Sequence, residues 1–162
     1  MMKKLLAAFV MIMMLGISTV CFAEIAEADL VLGGLYPGQP WSEVIAMYGN
    51  PSWEQRLPNR TTGYVYEKPD GQFLLQKENE LLVHITVTTN RAMVTTRGIS
   101  IGASRDDVIR AYGSPDRSEK AQMYEEFRYY AGEKSLRFSL FDGRLKWINV
   151  AIKDAPEPPV MP

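Results

Sequence analysis

The sequence predicts an α+β protein built from two tandem repeats. Each repeat is a helix followed by a three-stranded antiparallel meander, and the two repeats share one sheet with the helices on one face. Three observations predict this: a stretch that occurs twice, a helix terminator within each copy, and alternating apolar residues after each terminator. The stretches are GQPWSEVIAMYGNP at 38–51 and GASRDDVIRAYGSP at 102–115. Self-similarity at a fixed period indicates one supersecondary unit used twice.

Each copy predicts one short helix. The spacing Val-Ile-x-x-Tyr places three apolar side chains on one helical face. In the second copy, Ser104 followed by Asp107 is typical of a capping box. In the first, Pro40 is expected at the first helical position, where its missing N–H has no cost. The motif Tyr-Gly-x-Pro then ends both helices, because glycine adopts a left-handed conformation and proline prevents continuation.

Apolar residues alternate with polar ones after each helix, as in half-buried strands. The runs are TGYVYEK, QFLLQKE and LLVHITVTT in the first copy, and YEEFRYYA, SLRFSLF and RLKWINVAI in the second. Asp142-Gly143, between two of these runs, is typical of a hairpin turn. We therefore predict three strands per copy. Because helices can cover only one face of the sheet, we expect the opposite face to be open.

The two ends of the chain predict segments outside this domain. The first residues combine two lysines, a short apolar run and small residues before a cleavage point, as in a secretory signal peptide. The apolar run is shorter than the roughly 20 residues of a membrane-spanning helix. The predicted division is a signal peptide at 1–23, an N-terminal linker at 24–33, a single globular domain at 34–153 with repeats 34–90 and 97–153, and a Pro-rich disordered tail at 154–162.

The single cysteine and the small net charge argue against two classes of function, cysteine-based chemistry and nucleic-acid binding. Cys21 is the only cysteine. It follows Val20 rather than the small residue typical of a lipidated cysteine, so we expect it to be lost with the signal peptide; a lipid-anchored factor is the alternative. The mature chain would then have no disulfide, thiolate or cysteine-metal chemistry. The net charge of −1, with the charges dispersed, argues against a nucleic-acid partner.

No catalytic, cofactor-binding or metal-binding constellation is recognisable in the sequence. His84 is the only histidine and has neither a second histidine nor a cysteine as a partner. We interpret it as a residue of the sheet face. The expected protein is therefore not an enzyme and has no cofactor or metal, the less favoured alternative being an unrecognised hydrolase that uses carboxylates and His84.

Aromatic residues and arginine are the candidates for a binding surface, because protein interfaces favour these side chains. Cross-strand aromatic pairs that stabilise the sheet are an equally good interpretation, and the loop tryptophan can also pack under its own loop. The candidate protein-binding residues are Trp53, Tyr64, Tyr66, Phe127, Arg128, Tyr129 and Trp147.

The helix motif, followed by strands and repeated in tandem, resembles the beta-lactamase-inhibitor-protein-like fold. One unit is similar to the SmpA/OmlA family of small envelope lipoproteins. The matching residues are Gly38, Glu43, Val44, Ile45, Tyr48, Gly49 and Pro51, then Gly102, Ser104, Asp107, Val108, Ile109, Tyr112, Gly113 and Pro115. This resemblance is specific for fold and not for activity.

Together with the signal peptide, this resemblance implies an exported bacterial protein, periplasmic or extracellular and possibly envelope-associated. We expect it to bind another envelope or extracellular protein through the open sheet face, with no transmembrane segment in the mature chain. The alternative is an outer-membrane assembly or lipoprotein-like factor.

Overall fold

A computed structural model describes residues 25–58 and 60–152. The predicted signal peptide at 1–23 and the predicted tail at 154–162 lie outside the described residues. The secondary structure comprises a 3₁₀ helix at Glu27–Asp29, two α-helices and eight strands. The helices are α1 (Trp41–Tyr48) and α2 (Arg105–Tyr112), and the strands are β1 (Trp53–Arg56), β2 (Thr62–Lys68), β3 (Gly71–Glu78), β4 (Leu81–Val87), β5 (Arg117–Ala121), β6 (Tyr124–Ala131), β7 (Lys134–Phe141) and β8 (Arg144–Ile152).

The eight strands form one antiparallel sheet in the order β1-β2-β3-β4-β8-β7-β6-β5. Strands β4 and β8 pair at the centre, and β1 and β5 lie at the two edges. Tight turns join neighbouring strands: Asn79-Glu80 and Asp142-Gly143 both have positive φ at two successive residues. Such turns match the right-handed twist of the flanking strands, which explains why consecutive strands pair locally.

The predicted fold class is wrong. Instead of two helix-plus-three-strand repeats sharing a sheet, the described residues form a sheet-dominated fold: one eight-stranded antiparallel sheet with two helices of eight residues each. The strands that the sequence analysis missed are β1 and β5, at the edges. Their sequences, WEQR and RSEKA, lack alternating apolar residues, and β5 is exposed throughout. Hydrophobic periodicity cannot detect a strand that buries neither face.

The predicted helix ends are largely confirmed. Ser104 caps α2: its Oγ accepts a hydrogen bond from the Asp107 N–H at 3.2 Å, and its own N–H donates to Asp107 Oδ2 at 3.0 Å. Gly49 and Gly113 end α1 and α2 with φ of 79° and 74°. Pro40 lies one position earlier than expected, since it is the N-cap of α1 and makes no side-chain capping bond.

The main core lies between the helices and one face of the sheet. Two aromatic clusters occupy it, and each places the last tyrosine of a helix against two rings from the strands. The clusters are Tyr48, Tyr66 and Phe73 on the α1 side, and Tyr112, Tyr129 and Phe138 on the α2 side. Aromatic pairs of this kind contribute about 0.5–1.5 kcal/mol beyond the burial of their area, so they help to fix both helices on the same face.

The sequence analysis predicts a linker at residues 24–33. The structure describes 25–33 of this segment, and several of these residues contribute to the main core. Ile25, Leu30 and Leu32 are buried within the main cluster. Asp29 also forms a bidentate ion pair with Arg97, at 2.6 and 2.8 Å. The segment is therefore packed against the domain. Its apolar run, Leu30 to Leu32, is too short to show a period, which is why the sequence pattern did not reveal this burial.

Candidate functional site

One row of side chains crosses all eight strands on the sheet face opposite the helices. Its members occupy consecutive in-register positions, and they alternate along their strands with core residues such as Phe73 and Leu136. We term this set the open-face row. From one edge to the other it consists of Trp53, Val65, Leu74, Thr86, Asn149, Arg137, Arg128 and Arg117.

The β1 end of the open-face row is apolar. Val65 and Leu74 form a small buried cluster with Leu57, separate from the main core. Trp53 lies beside it on the edge strand and remains 41% exposed. Leu57 follows β1 and covers the cluster from the loop, so this corner of the open face has its own apolar packing.

The centre of the row is a buried polar group that joins β4 to β8. Thr86 Oγ1 donates a hydrogen bond to Asn149 Oδ1 at 2.9 Å, and His84 Nε2 lies 3.4 Å from the same oxygen. His84 is 1% exposed. The interpretation of His84 as a residue of the sheet face therefore agrees with its place in β4. Buried polar groups need such partners because leaving them unsatisfied is costly.

The β5 end of the row is charged. Glu126, from β6, is buried and accepts hydrogen bonds from Tyr124 Oη and Arg128 Nε, both at 2.5 Å. Arg137 Nη1 lies 3.9 Å from Glu126 Oε2. Burial, and next the hydrogen bond to Glu126, raise the pKa of the Tyr124 hydroxyl. Tyr124 therefore stays protonated and remains a hydrogen-bond donor to the carboxylate at neutral pH.

A cavity of about 120 Å³ opens on this face between the apolar and charged ends. This volume is several times the roughly 10–15 Å³ that one water requires, and below the roughly 300–1,000 Å³ of small-molecule sites. It therefore suits one or two amino-acid side chains. Strands β1–β4 and β6–β8 all contribute to its lining, which includes Trp53, Leu57, Val65, Leu74, Thr86, Tyr124, Glu126, Arg137, Trp147 and Asn149.

The structure places four of the seven predicted binding residues on the helix-covered face. Tyr66, Phe127 and Tyr129 are at most 1% exposed and belong to the main core. Tyr64 is half-buried and packs on the indole of Trp41, with ring centroids 4.9 Å apart. These side chains are therefore not on the open face. Alternation along a strand shows which residues share a face, but not which of the two faces the helices cover.

The other three predicted residues do lie on the open face. Trp53 and Trp147 line the cavity, and Arg128 is in the open-face row next to Arg137. The structure thus brings together residues that are far apart in the sequence. Their role in binding remains a prediction.

Sequence reasoning missed several residues of this site, among them Leu57, Leu74, Arg137 and Asn149. None belongs to a recognisable chemical motif. Only the register between strands brings them into one row, and no sequence signal specified that β4 pairs with β8.

Among residues 25–58 and 60–152, no three histidine, cysteine or acidic residues are grouped so that they could hold a metal ion. The helices in the same part of the chain are too short or too polar to span a membrane.

Comparison with known proteins gives matches in structure only. No family model and no curated protein matches the sequence. A cysteine-rich secretory protein of Staphylococcus aureus is similar in structure, with a TM-score of 0.60 and 13% identity over 82% of this chain and 49% of that chain. An extracellular Bacillus anthracis protein containing an SCP domain has a TM-score of 0.51 and 13% identity over 80% of this chain and 46% of that one.

A third match is a Streptococcus mutans protein provisionally described as a beta-lactamase inhibitor protein. It is 18% identical over 74% of this chain and 85% of that chain, with a TM-score of 0.31. A beta-lactamase-inhibitor-like protein is thus among the matches, but at a similarity too low to carry an argument. The predicted relation to the SmpA/OmlA family is not shown.

These comparisons do not allow the activity or the partners of the similar proteins to be assigned to this chain. The chain spans about half the length of the Staphylococcus and Bacillus anthracis proteins that it resembles. At 13% identity, the likeness shows the fold alone.

Proposed function

We propose that this protein is an exported, non-catalytic binding module of the bacterial envelope, which recognises another envelope or extracellular protein through the open face of its sheet. The observation that carries the proposal is the cavity of about 120 Å³ on that face, with walls from both halves of the sheet. A site of this size accepts side chains of a protein partner and is small for a cofactor.

The residue types around the cavity support protein binding. Trp53 and Trp147 line it together with Arg137, and tryptophan and arginine are enriched among residues that dominate binding energy. The apolar corner at Leu57 and Leu74 can bury a partner side chain. The polar centre supplies hydrogen-bonding groups that orient the partner.

The absence of catalysis is supported by the surroundings of the histidine. His84 is 1% exposed, and its Nε2 faces the side-chain oxygen of Asn149. His84 is not among the residues that line the cavity, so a substrate bound there would not contact the imidazole. General acid–base catalysis requires the catalytic group within hydrogen-bond reach of the reacting atom.

Export is supported by the first 23 residues, which follow the plan of a signal peptide. The similar proteins from Staphylococcus aureus and Bacillus anthracis, described as secretory and extracellular, fit the same location. We place the mature protein outside the cytoplasm, in the periplasm or the extracellular space.

The test is capture of a partner by variants of the open face. The chain without residues 1–23 is immobilised and exposed to the envelope fraction of the source cells, and captured proteins are identified by mass spectrometry. We expect Trp53→Ala and Trp147→Ala to weaken capture by about 30-fold, the effect of a 2 kcal/mol hot spot. The control is Met47→Ala, which removes a 51% exposed side chain on α1.

The proposal requires the Met47 variant to capture the same protein as the unmodified chain. Loss of capture in the Met47 variant, with both tryptophan variants unaffected, would place the binding surface on the helix side and contradict it. Circular dichroism of each variant separates lost binding from lost folding.

A further inference from the structure

We propose that edge strand β1 pairs antiparallel with β1 of a second copy of this chain, in the register that places Glu54 opposite Arg56 of the other copy. This inference goes beyond the proposed function, because it concerns the edge of the sheet and not its open face. Two observations carry it: the main-chain groups that point outward from β1, and the order of charges along the strand.

Strand β1 has one neighbour among the described residues. Within 25–58 and 60–152 it pairs with β2 alone and lies at one end of the strand order. The outer side of an edge strand presents main-chain N–H and C=O groups that can pair with another chain. An extended strand of a partner can therefore be added to the sheet at this edge.

The hairpin between β1 and β2 shows which main-chain groups of β1 point outward. The Leu57 N–H donates to the carbonyl of Thr61 at 2.9 Å, in the register that β1 and β2 share. Hydrogen-bonded pairs alternate with non-hydrogen-bonded pairs in an antiparallel ladder, so Gln55 bonds to β2 as Leu57 does. The N–H and C=O groups of Glu54 and Arg56 therefore point away from the sheet.

These outward groups restrict how two β1 strands can pair. Opposed residues that exchange hydrogen bonds must both point outward, so Glu54 and Arg56 can each face either itself or the other residue in the second copy. Self-facing registers place like charges directly opposite, which destabilises an antiparallel pair. The register in which Glu54 faces Arg56 places opposite charges together twice, because the pair is symmetric. Hydrogen bonding and charge therefore select the same register.

The two charges are accessible to a second copy. Glu54 and Arg56 are both exposed, and Glu54 lies opposite Tyr64 on the helix-covered side of the sheet. The nearby amine of Lys77 is bound by Glu80 at 2.7 Å. Exposed ion pairs add little to affinity, so their main effect here is to disfavour the registers that oppose like charges.

Apolar side chains flank the charges in the same register. Gln55 then lies on the twofold axis, and Trp53 lies opposite Leu57 of the second copy. Trp53 is 41% exposed in one copy, and non-hydrogen-bonded pairs bring opposed Cα atoms to about 4.5 Å. The pairing therefore covers part of the indole and joins two apolar corners, each formed by Leu57, Val65 and Leu74.

The other edge strand, β5, is less suited to such pairing. All of its residues, RSEKA, are exposed, and none has an apolar side chain larger than that of alanine. Arg117 already pairs with Glu119 of the same strand at 2.5 Å. Charged side chains of this kind protect edge strands from association. The β1 edge is therefore the one at which we expect the second copy.

The test is sedimentation of the chain lacking residues 1–23, at concentrations from about 10 μM to about 1 mM, a range that covers weak association. We expect a dimer whose fraction rises with concentration. Glu54→Arg and Arg56→Glu each place like charges opposite one another in this register. Each variant is expected to raise the dissociation constant of the dimer at least about tenfold. Circular dichroism confirms that both variants are folded.

Exchange of the two charges restores the match. The double variant, Glu54→Arg with Arg56→Glu, should return the dissociation constant to within about threefold of that of the unmodified chain. A mixture of the two single variants should form a mixed dimer, because every arginine of one chain then faces a glutamate of the other. The matched control is Glu119→Arg, the same charge reversal on β5 at a 48% exposed side chain, which should leave the dissociation constant unchanged.

Three outcomes would overturn the proposal. The first is a chain that stays monomeric over the whole range. The second is a dimer that Glu119→Arg weakens and Glu54→Arg does not, because this places the contact at β5. The third is loss of the dimer in both single variants without recovery in the double variant, which contradicts the register. Glu54→Arg retains Trp53 and Trp147, so loss of the dimer is separable from loss of partner capture.

Discussion

The hydroxyl of Tyr129 donates a hydrogen bond to the main-chain carbonyl of Gly113 at 2.9 Å. The bond joins strand β6 to the residue that ends helix α2. Tyr66 makes the corresponding bond to Gly49 at the end of α1, at 3.2 Å. Burial raises the pKa of Tyr66 to about 12, so this hydroxyl remains a donor throughout the physiological range. The Tyr-Gly-x-Pro motif thus ends each helix and also supplies the acceptor that fixes it to the sheet.

Substitution of Tyr129 should reduce stability, because the ring is part of the core. Tyr129→Phe removes only the hydroxyl and is expected to lower the free energy of unfolding by about 1 kcal/mol. Tyr129→Ala leaves a cavity and should cost about 3–5 kcal/mol. Urea denaturation measures both. Tyr36→Phe, at a 40% exposed ring, is the control and should leave the midpoint unchanged. A fully stable Tyr129→Ala variant would contradict the packing described above.

The ion pair of Asp29 and Arg97 predicts a dependence of stability on pH. The hydrogen bonds from Arg97 hold the pKa of Asp29 below its usual value. A carboxylate whose pKa is lowered by folding stabilises the native state above its unfolded pKa of about 3.9 and loses that contribution as the pH falls through the lower, folded value. The free energy of unfolding should therefore decrease below about pH 4, by about 1 kcal/mol for a pair of this exposure.

Asp29→Asn removes this titration. Unfolding of the variant, measured in urea from pH 6 to pH 2, should show a shallower loss of stability than the unmodified chain, and a lower stability at pH 6. Parallel curves for the two proteins would mean that Asp29 does not contribute to the acid dependence. Ser42→Ala, at an exposed position on α1, changes no titrating group; it is the control, and its curve should run parallel to that of the unmodified chain.

The capping box of α2 predicts unequal effects of two serine substitutions. Ser104→Ala removes the acceptor for the Asp107 N–H and should cost about 1 kcal/mol of stability. Ser42→Ala, at an exposed position in the first turn of α1, removes no capping bond and should be neutral or slightly stabilising. Thermal unfolding of the two variants side by side checks the difference. Equal shifts in the unfolding temperature would contradict the capping role of Ser104.

The parts of the fold that were predictable are those with a local physical signal. The helix ends at Gly49 and Gly113 follow from residue types alone, and the strands that flank Asp142-Gly143 follow from alternation and turn chemistry. The edge strands β1 and β5 were not predictable, because they bury neither face. The burial of Leu30 and Leu32 was not predictable for a related reason: they pack against elements that are remote in the sequence.

The candidate site was predictable in residue type but not in arrangement. Trp53, Arg128 and Trp147 were identified because aromatic and arginine side chains favour interfaces. Tyr66 and Tyr129 met the same criterion but belong to the core, since composition does not show which face the helices cover. The row that links Leu74 to Arg137 depends on the pairing of β4 with β8, which is a long-range contact.

Binding at the open face is tested most directly by the three tryptophan indole signals in a ¹⁵N-correlated NMR spectrum, recorded as the captured partner is added. Trp53 and Trp147 line the cavity, whereas Trp41, the first residue of α1, is 7% exposed and packs in the main core. Open-face binding predicts that the Trp53 and Trp147 signals shift or broaden while the Trp41 signal stays in place. A spectrum in which Trp41 moves and the other two do not would place the partner on the helix side and contradict the account.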